Sequence, residues 1–363
     1  MTIYLDYQAT TPLAPEAFDA MVPLLRDQFA NPHSPHRLGR MAAAQVEIAR
    51  SEIGQLLPEG GRLLFTSGAT EAINIAIQGA PRGDIVTLAS EHAAVLDTAQ
   101  AMAAQGHRVI VLPVGPDGLV DLAAAAEAIQ PGVALVAAML VNNEIGVIQP
   151  IGALADLAHQ AGALFLCDAV QGYGRVPIPR ECDMIAVSAH KIHGPKGVGA
   201  LWLRDGVNLA PVFHGGGQEG GLRSGTLSPA LCAGFGVAAR LMRERAGEDR
   251  AHVEMLWTEA RMLFRNWALN GSAEARYHGN LNIRRNGVDG GRLLSECRDV
   301  AFSLGSACAS GSGRPSHVLR AIGLSDREAR GSVRIGFGRY TTLADVSEAA
   351  RLMNEVAAAQ AAP

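Results

Sequence analysis

Two residues of this sequence are of types that do chemistry as a pair. Lys191 lies in the run SAHKIHGPKG, from Ser188 to Gly197, and Asp168 closes an apolar run and opens Asp168–Gln171. They stand 23 positions apart, room for one helix or loop and one strand. A lysine amine forms a Schiff base with an aldehyde, and a carboxylate at a neighbouring strand end keeps a ring nitrogen protonated. The pairing suits pyridoxal phosphate.

Other segments could complete such a site. Thr66–Glu71 follows a strand and opens a helix. Its N–H groups, the positive dipole end and the Thr70 hydroxyl suit an anion, or the segment is an ordinary Ser/Thr helix cap. His92 could stack on a ring and move protons, or simply start a helix. Asn143, in Val141–Val147, offers an amide near a cofactor oxygen, or forms a turn. The glycine-rich stretch from His214 to Thr226 suits a phosphate clamp or a loop. Arg334 could grip a carboxylate bidentately or make a surface ion pair. Cys308 stands among small residues from Leu304 to His317, where an exposed thiol could ionise and attack. The other four cysteines, Cys167, Cys182, Cys232 and Cys297, read as structural. His33/His36 and His190/His193 have metal-like spacing only on a helix, which Pro32, Pro35, Gly194 and Pro195 oppose, so no metal is expected.

Positioning these groups requires a sheet. Strand-like runs fall at Leu63–Thr66, Ile85–Ala89, Arg108–Leu112, Val133–Met139, Ala163–Cys167, Met184–Val187 and Gly199–Leu203, with helical patterns such as Ala93–Gln105 and Ile151–Gln160 between them. Alternation of this kind predicts an α/β fold, a mostly parallel sheet with helices on both faces. Such sheets bind ligands beyond the carboxyl ends of their strands, where Thr66–Thr70, Asp168 and His190–Lys191 fall. Beyond about residue 248 the pattern shifts to a long helix over His252–Leu269, strands at Asn280–Arg285, Val300–Ser303 and Ser332–Phe337, and a closing helix from Leu343 that frays over Ala357–Pro363. The expected organisation is a large cofactor-binding domain over residues 13–248. A smaller α+β domain, from residues 1–12 and 249–363, carries the Cys308 loop.

Composition excludes other classes. The 363 residues carry a net charge of −4 with no basic block, so neither nucleic acid nor an anionic membrane is an expected partner. No apolar stretch approaches the roughly 18 residues of a membrane helix, and the N-terminus has no signal-peptide pattern. No cysteine pair has zinc-type spacing. The expected location is the cytoplasm.

With these motifs in order along nearly its whole length, the chain resembles the cysteine desulfurases that supply sulfur for iron–sulfur clusters. Those belong to the class V aminotransferase group of fold-type I pyridoxal phosphate enzymes. Matching stretches run from Tyr4–Pro12 and Asn31-Pro32 through Glu91-His92, Ser188–Gly199 and Arg223–Leu227 to Gly305–Ser310 and Ser332–Thr342. The resemblance implies that Lys191 carries the cofactor, Asp168 pairs with its ring nitrogen, Gln171 bonds its phenolic oxygen and His92 stacks on it. Thr70, Ser188 and His190, with Ala69 beside them, hold the phosphate end, joined by Thr226 from a partner subunit of a homodimer. Asn143 meets cofactor and substrate, and Arg334 with Asn31 holds the L-cysteine carboxylate. Cys308, in the family branch with the longer catalytic loop, takes the sulfur as a persulfide and passes it to an acceptor. That acceptor would be an iron–sulfur scaffold, whose cluster the persulfide could contact, or a tRNA-thiolation protein.

Two alternatives use the same residues differently: a selenocysteine lyase or aminotransferase on this scaffold, and a non-catalytic sulfur carrier. An aminotransferase has no use for Cys308. The polar Asn280–Asn286, Arg314 and the short C-terminal end depart from the family pattern and bear on the docking partner.

Overall fold

A computed structural model of the chain describes residues 2–304 and 315–361. Its strands are β1 (Ile3–Tyr4), β2 (Gly61–Thr66), β3 (Asp84–Leu88), β4 (Val109–Leu112), β5 (Val133–Met139), β6 (Leu164–Asp168), β7 (Met184–Ser188) and β8 (Gly199–Arg204), followed by β9 (Ala268–Leu269), β10 (Asn280–Arg284), β11 (Val300–Ala301), β12 (Ser303–Leu304) and β13 (Ser332–Gly336).

Strands β2 to β8 form one sheet in the order β2-β8-β7-β6-β5-β3-β4. β8 runs antiparallel to both neighbours, and β3 to β7 are mutually parallel. The central strands are apolar on both faces because helices cover both, and β5 and β7 are almost wholly buried. On one face pack residues such as Ile73, Ile75, Val95 and Leu166; on the other lie Ile53, Phe165, Ile185 and Phe235. Each such side chain removed from water stabilises the fold by about 1.5–3 kcal/mol.

The N-terminal helices α1 (Pro15–Arg26) and α2 (Arg37–Gly54) pack on the helix Pro229–Glu244. α1 begins with proline, whose missing N–H costs nothing at a helix start. α2 is capped by His36, which accepts from the Gly39 N–H. Two further helices matter for the site: α3 (Ala69–Gly79) follows β2, and α4 (Ala93–Ala103) follows β3.

The remaining elements form a separate cluster. β12-β13-β10-β9 is an antiparallel sheet, and β1 pairs with β11, bringing the N-terminus onto the C-terminal part. Leu5, Leu256, Leu281, Ile335 and Met353 fill its core.

Most expected strands shift by one or two residues, and three departures are larger. The long helix is Ala246–Leu263, not His252–Leu269: after Phe264 the chain leaves the helix, and Ala268–Leu269 pairs with Ile283–Arg284 instead. The expected strand Val300–Ser303 divides at Phe302 between two sheets, because Val300–Ala301 faces β1 and Ser303–Leu304 faces β13. The closing helix Leu343–Ala361 does not fray at Ala357, which is fully buried against the core. Cys167, Cys182, Cys232 and Cys297 are buried and free of disulfides. No helix among the described residues is long and apolar enough to cross a membrane.

Candidate active site

The carboxyl ends of β2, β5, β6 and β7 converge on a cavity of about 310 Å³. Ten of the residues singled out from the sequence line it: Ala69, Thr70, His92, Asn143, Asp168, Gln171, Ser188, His190, Lys191 and Arg334. The parallel sheet explains the convergence, since strands running one way deliver their following residues to one rim.

Lys191 ends the short turn Ala189–Lys191 directly after β7. Its Nζ donates to the carbonyls of Gln8 and Ala9, the latter at 2.8 Å. Asp168 is the last residue of β6 and is buried. Burial pushes its carboxyl up, against the pull of His92, the Val170 N–H at 3.0 Å and Lys191. A cationic ring nitrogen would supply the counter-charge that burial denies.

His92 starts a helix and also lines the cavity. It is the N-cap of α4, its Nδ1 accepting from the Ala94 N–H at 3.0 Å. The Ser/Thr-cap reading of Thr66–Thr70 does not hold. The N-cap of α3 is Gly68, no side chain caps the helix, and Ala69 and Thr70 of its first turn face the cavity. Free N–H groups at a positive dipole end suit an anion. Gly199 of β8 lets this turn sit close: a Cβ there would lie 2.7 Å from the Gly68 backbone.

His190 contacts Thr10 Oγ1 through Nδ1 at 3.2 Å, and burial, followed by Lys191 and Lys196, pushes its imidazole down to about 4. It is therefore neutral at pH 7. Gln171 donates to the Gln8 carbonyl at 2.9 Å. A helix N-terminus without a side-chain cap, a buried carboxylate and a lysine amine on one cavity fit pyridoxal phosphate. Thr70, Ser188 and His190 line the cavity together with Lys191.

Arg334 of β13 enters from the second cluster with its side chain 1% exposed. Nη2 pairs with Asp6 Oδ1 at 2.8 Å, Nη1 donates to the Asn143 carbonyl at 3.1 Å, and Nε is buried with no hydrogen-bond partner among the described residues. A guanidinium on a cavity wall is suited to a carboxylate ligand.

Asn31 is exposed, with its Oδ1 accepting from the His33 N–H, and does not line the cavity. Thr226 is also exposed and outside it, on the stretch held to α3 by the Arg223–Glu71 ion pair at 2.7 Å. Cys308 lies outside the described residues.

The sequence reading missed several contributors. Gln8 and Ala9, in the Tyr4–Pro12 stretch, hold Lys191; Asp6 holds Arg334. Glu144 is buried and accepts from Ser316 Oγ. Glu91 is fully buried beside His92, one oxygen accepting from the Met139 N–H at 2.8 Å. Burial pushes the Glu91 carboxyl well up and the Glu144 carboxyl to about 7. Their neighbours in sequence carried the only signal, since nothing local marks a carboxylate as buried.

Residues 3–348 match the family model described as Aminotransferase class-V. The chain is 42% identical over 370 residues to a cysteine desulfurase IscS of Rickettsia bellii, covering 97% of this chain and 90% of that one. Among solved structures, a NifS-like protein superposes with a TM-score of 0.90 at 31% identity, covering 99% of this chain and 100% of its own. A structure titled SspA in complex with cysteine does so with a TM-score of 0.83 at 33% identity, covering 94% and 100%. The matched length, the shared fold and the lysine–aspartate cavity agree, and the chain belongs to the class V aminotransferase family, among its cysteine desulfurases.

Proposed function

We propose that this chain converts L-cysteine to L-alanine as a pyridoxal-phosphate-dependent cysteine desulfurase and leaves the sulfur as a persulfide on Cys308. The observation that carries this reading is the convergence of Lys191, Asp168, His92 and Arg334 on one cavity. The relative solved with cysteine supports the substrate.

Each residue then has a task. Arg334 takes the substrate carboxylate, with Asn31 its proposed companion by resemblance. Asp168 would keep the ring nitrogen protonated, Gln171 would bond the phenolic oxygen, Asn143 would meet cofactor and substrate, and His92 would stack on the ring. Bound pyridoxal phosphate supplies the electron sink that makes the substrate α-proton removable. Lys191 Nζ would take that proton as a general base. The Cys308 thiolate attacks the substrate sulfur. A sulfur–sulfur bond forms, the carbon–sulfur bond breaks, and the carbon skeleton takes up protons to leave as alanine.

The wider reading is a homodimer. An exposed apolar row on and beside α1 and α2 (Phe18, Leu25, Phe29, Leu38 and Ile48) supports a covered face. Thr226 would complete the partner's phosphate cradle. The proposed division is a large domain of residues 13–248 and a small one of residues 1–12 and 249–363. The proposed setting is the cytoplasm, with an iron–sulfur scaffold as acceptor.

Incubation of the holoenzyme with L-cysteine, quantifying alanine and mapping the persulfide by mass spectrometry, tests the reading. Cys308→Ala is expected to keep the cofactor's visible band and lose sulfide release. A persulfide on another cysteine would overturn the assignment to Cys308, and full turnover by that variant would overturn the desulfurase reading in favour of a different class V activity.

A further inference from the structure

Among the described residues, Glu219 is one of two non-glycine residues in the left-handed region, with φ at +50°. Its neighbours there are glycines, Gly217 at +75°, Gly220 at +65° and Gly221 at +82°. Glycine would be the natural occupant, since a Cβ is crowded in this conformation. A glutamate persists there only where its surroundings fix it. Its carboxylate supplies the reason, on a side chain only 4% exposed. The two oxygens accept from Arg50 Nη1 and Nη2, each at 2.9 Å, and Oε2 also accepts from the Phe65 N–H at 2.8 Å.

These contacts finish the open edge of the large sheet. β2 is an edge strand, paired with β8 alone. Such a strand leaves backbone groups without a ladder partner. Here Arg50 donates to the Leu63 carbonyl and Glu219 accepts from the Phe65 N–H, so the ion pair stands where a neighbouring strand would. Three positions beyond Phe65 lies Gly68, the N-cap of α3. The same glycine-rich stretch grips the far side of that turn. Arg223 donates to Glu71 at 2.7 and 3.3 Å, and Glu71 accepts from the Ser67 N–H. Gln218 Oε1 accepts from the Gly225 N–H at 2.8 Å, which closes the stretch on itself. The turn that brings Ala69 and Thr70 to the cavity is thus fastened on both sides by one loop.

We infer that Glu219 is a positioning residue for the cofactor's phosphate: through Phe65 it fixes the end of β2, and with it the direction of the N–H groups at the start of α3. This deepens the pyridoxal phosphate reading of the site and rests on it. Glu219 does not line the cavity, so its loss should show in recognition of the phosphate.

The test compares two aldehydes that differ only in the phosphate. Apoenzyme made from purified holoenzyme is titrated with pyridoxal phosphate and with pyridoxal, and the visible band is read. Glu219→Gln keeps the shape of the side chain and loses the charge that Arg50 and the Phe65 N–H bind. Its affinity for pyridoxal phosphate should fall about tenfold, as charge-assisted hydrogen bonds become neutral ones, while its affinity for pyridoxal stays that of the wild type. Glu219→Gly relieves the strained φ and should show the same selective loss; Arg50 retains Glu47 at 3.1 Å, so the fold survives. Arg50→Lys, which keeps the charge but not the fork, should repeat the loss more weakly. Equal losses for both aldehydes overturn the proposal, as does unchanged affinity for pyridoxal phosphate in Glu219→Gln and Glu219→Gly. A wild type that gains no band with pyridoxal phosphate would instead overturn the cofactor reading itself, so the two failures are told apart.

Discussion

Arg334 Nη2 and Asp6 Oδ1 lie 2.8 Å apart, and the same carboxylate oxygen accepts from Ser303 Oγ at 2.9 Å. One acid near the N-terminus thus holds the guanidinium proposed to take the substrate carboxylate and the strand leading towards Cys308. The two groups meet because β1 pairs with β11 and Asp6 bridges to Gly336, so the N-terminal segment lies across the second sheet.

Removing that acid leaves the buried Arg334 charge without its ion-pair partner. Asp6→Ala is expected to lower the free energy of unfolding by about 3 kcal/mol, the low end for breaking a buried pair because Asp6 is partly exposed. The KM for L-cysteine should rise as Arg334 loses its orientation. Urea denaturation and steady-state kinetics check both, and unchanged stability would refute the role.

Gly199 permits the approach of the α3 turn. In Gly199→Ala the new Cβ would meet the Val187 carbonyl at 2.6 Å and the Gly68 backbone at 2.7 Å, neither able to move cheaply. Overpacking of this kind costs about 1–3 kcal/mol. Since the turn carries Ala69 and Thr70, the affinity of apoenzyme for pyridoxal phosphate should fall about tenfold. Spectroscopic titration reads this directly, and wild-type affinity would count against the cradle.

Glu144 gives a pH dependence of known sign. Burial raises its carboxyl from 4.5 to about 7, against Ser316, Arg334 and His92. The folded state therefore binds the proton more tightly than the unfolded chain. This contribution is full below pH 4.5, declines as pH rises to about 7 and is flat above. Glu144→Gln keeps an acceptor for Ser316 and loses the slope. At pH 8 the variant should be more stable by up to about 3 kcal/mol. Denaturation at pH 5 and pH 8 should give converging, not parallel, wild-type and variant curves.

Lys191→Ala removes the amine that holds the cofactor and moves the proton. The variant should purify without the visible band of the linked cofactor, and alanine formation should fall by roughly 10²- to 10⁴-fold. Because Lys191 Nζ also binds the Gln8 and Ala9 carbonyls, the N-terminal segment should become more sensitive to limited proteolysis. Retention of the band would place the link on another lysine.

Much of the site was legible in one dimension. Alternation of apolar strand runs such as Val133–Met139 with helical patterns such as Ile151–Gln160 predicted a mostly parallel sheet, and that sheet's geometry puts Thr70, Asp168 and Lys191 on one rim. Residue type then supplied the chemistry, because an amine, a carboxylate and a helix start differ in what they can bind. Long-range contact decided the rest. That Gln8 and Ala9 hold Lys191, that Asp6 holds Arg334, and that Glu144 and Glu91 are buried follows from segments more than 40 positions apart being packed together. The helix end at Leu263 and the division at Phe302 were also set by partner strands, since local propensity cannot tell a strand that finds a ladder from a helix that continues.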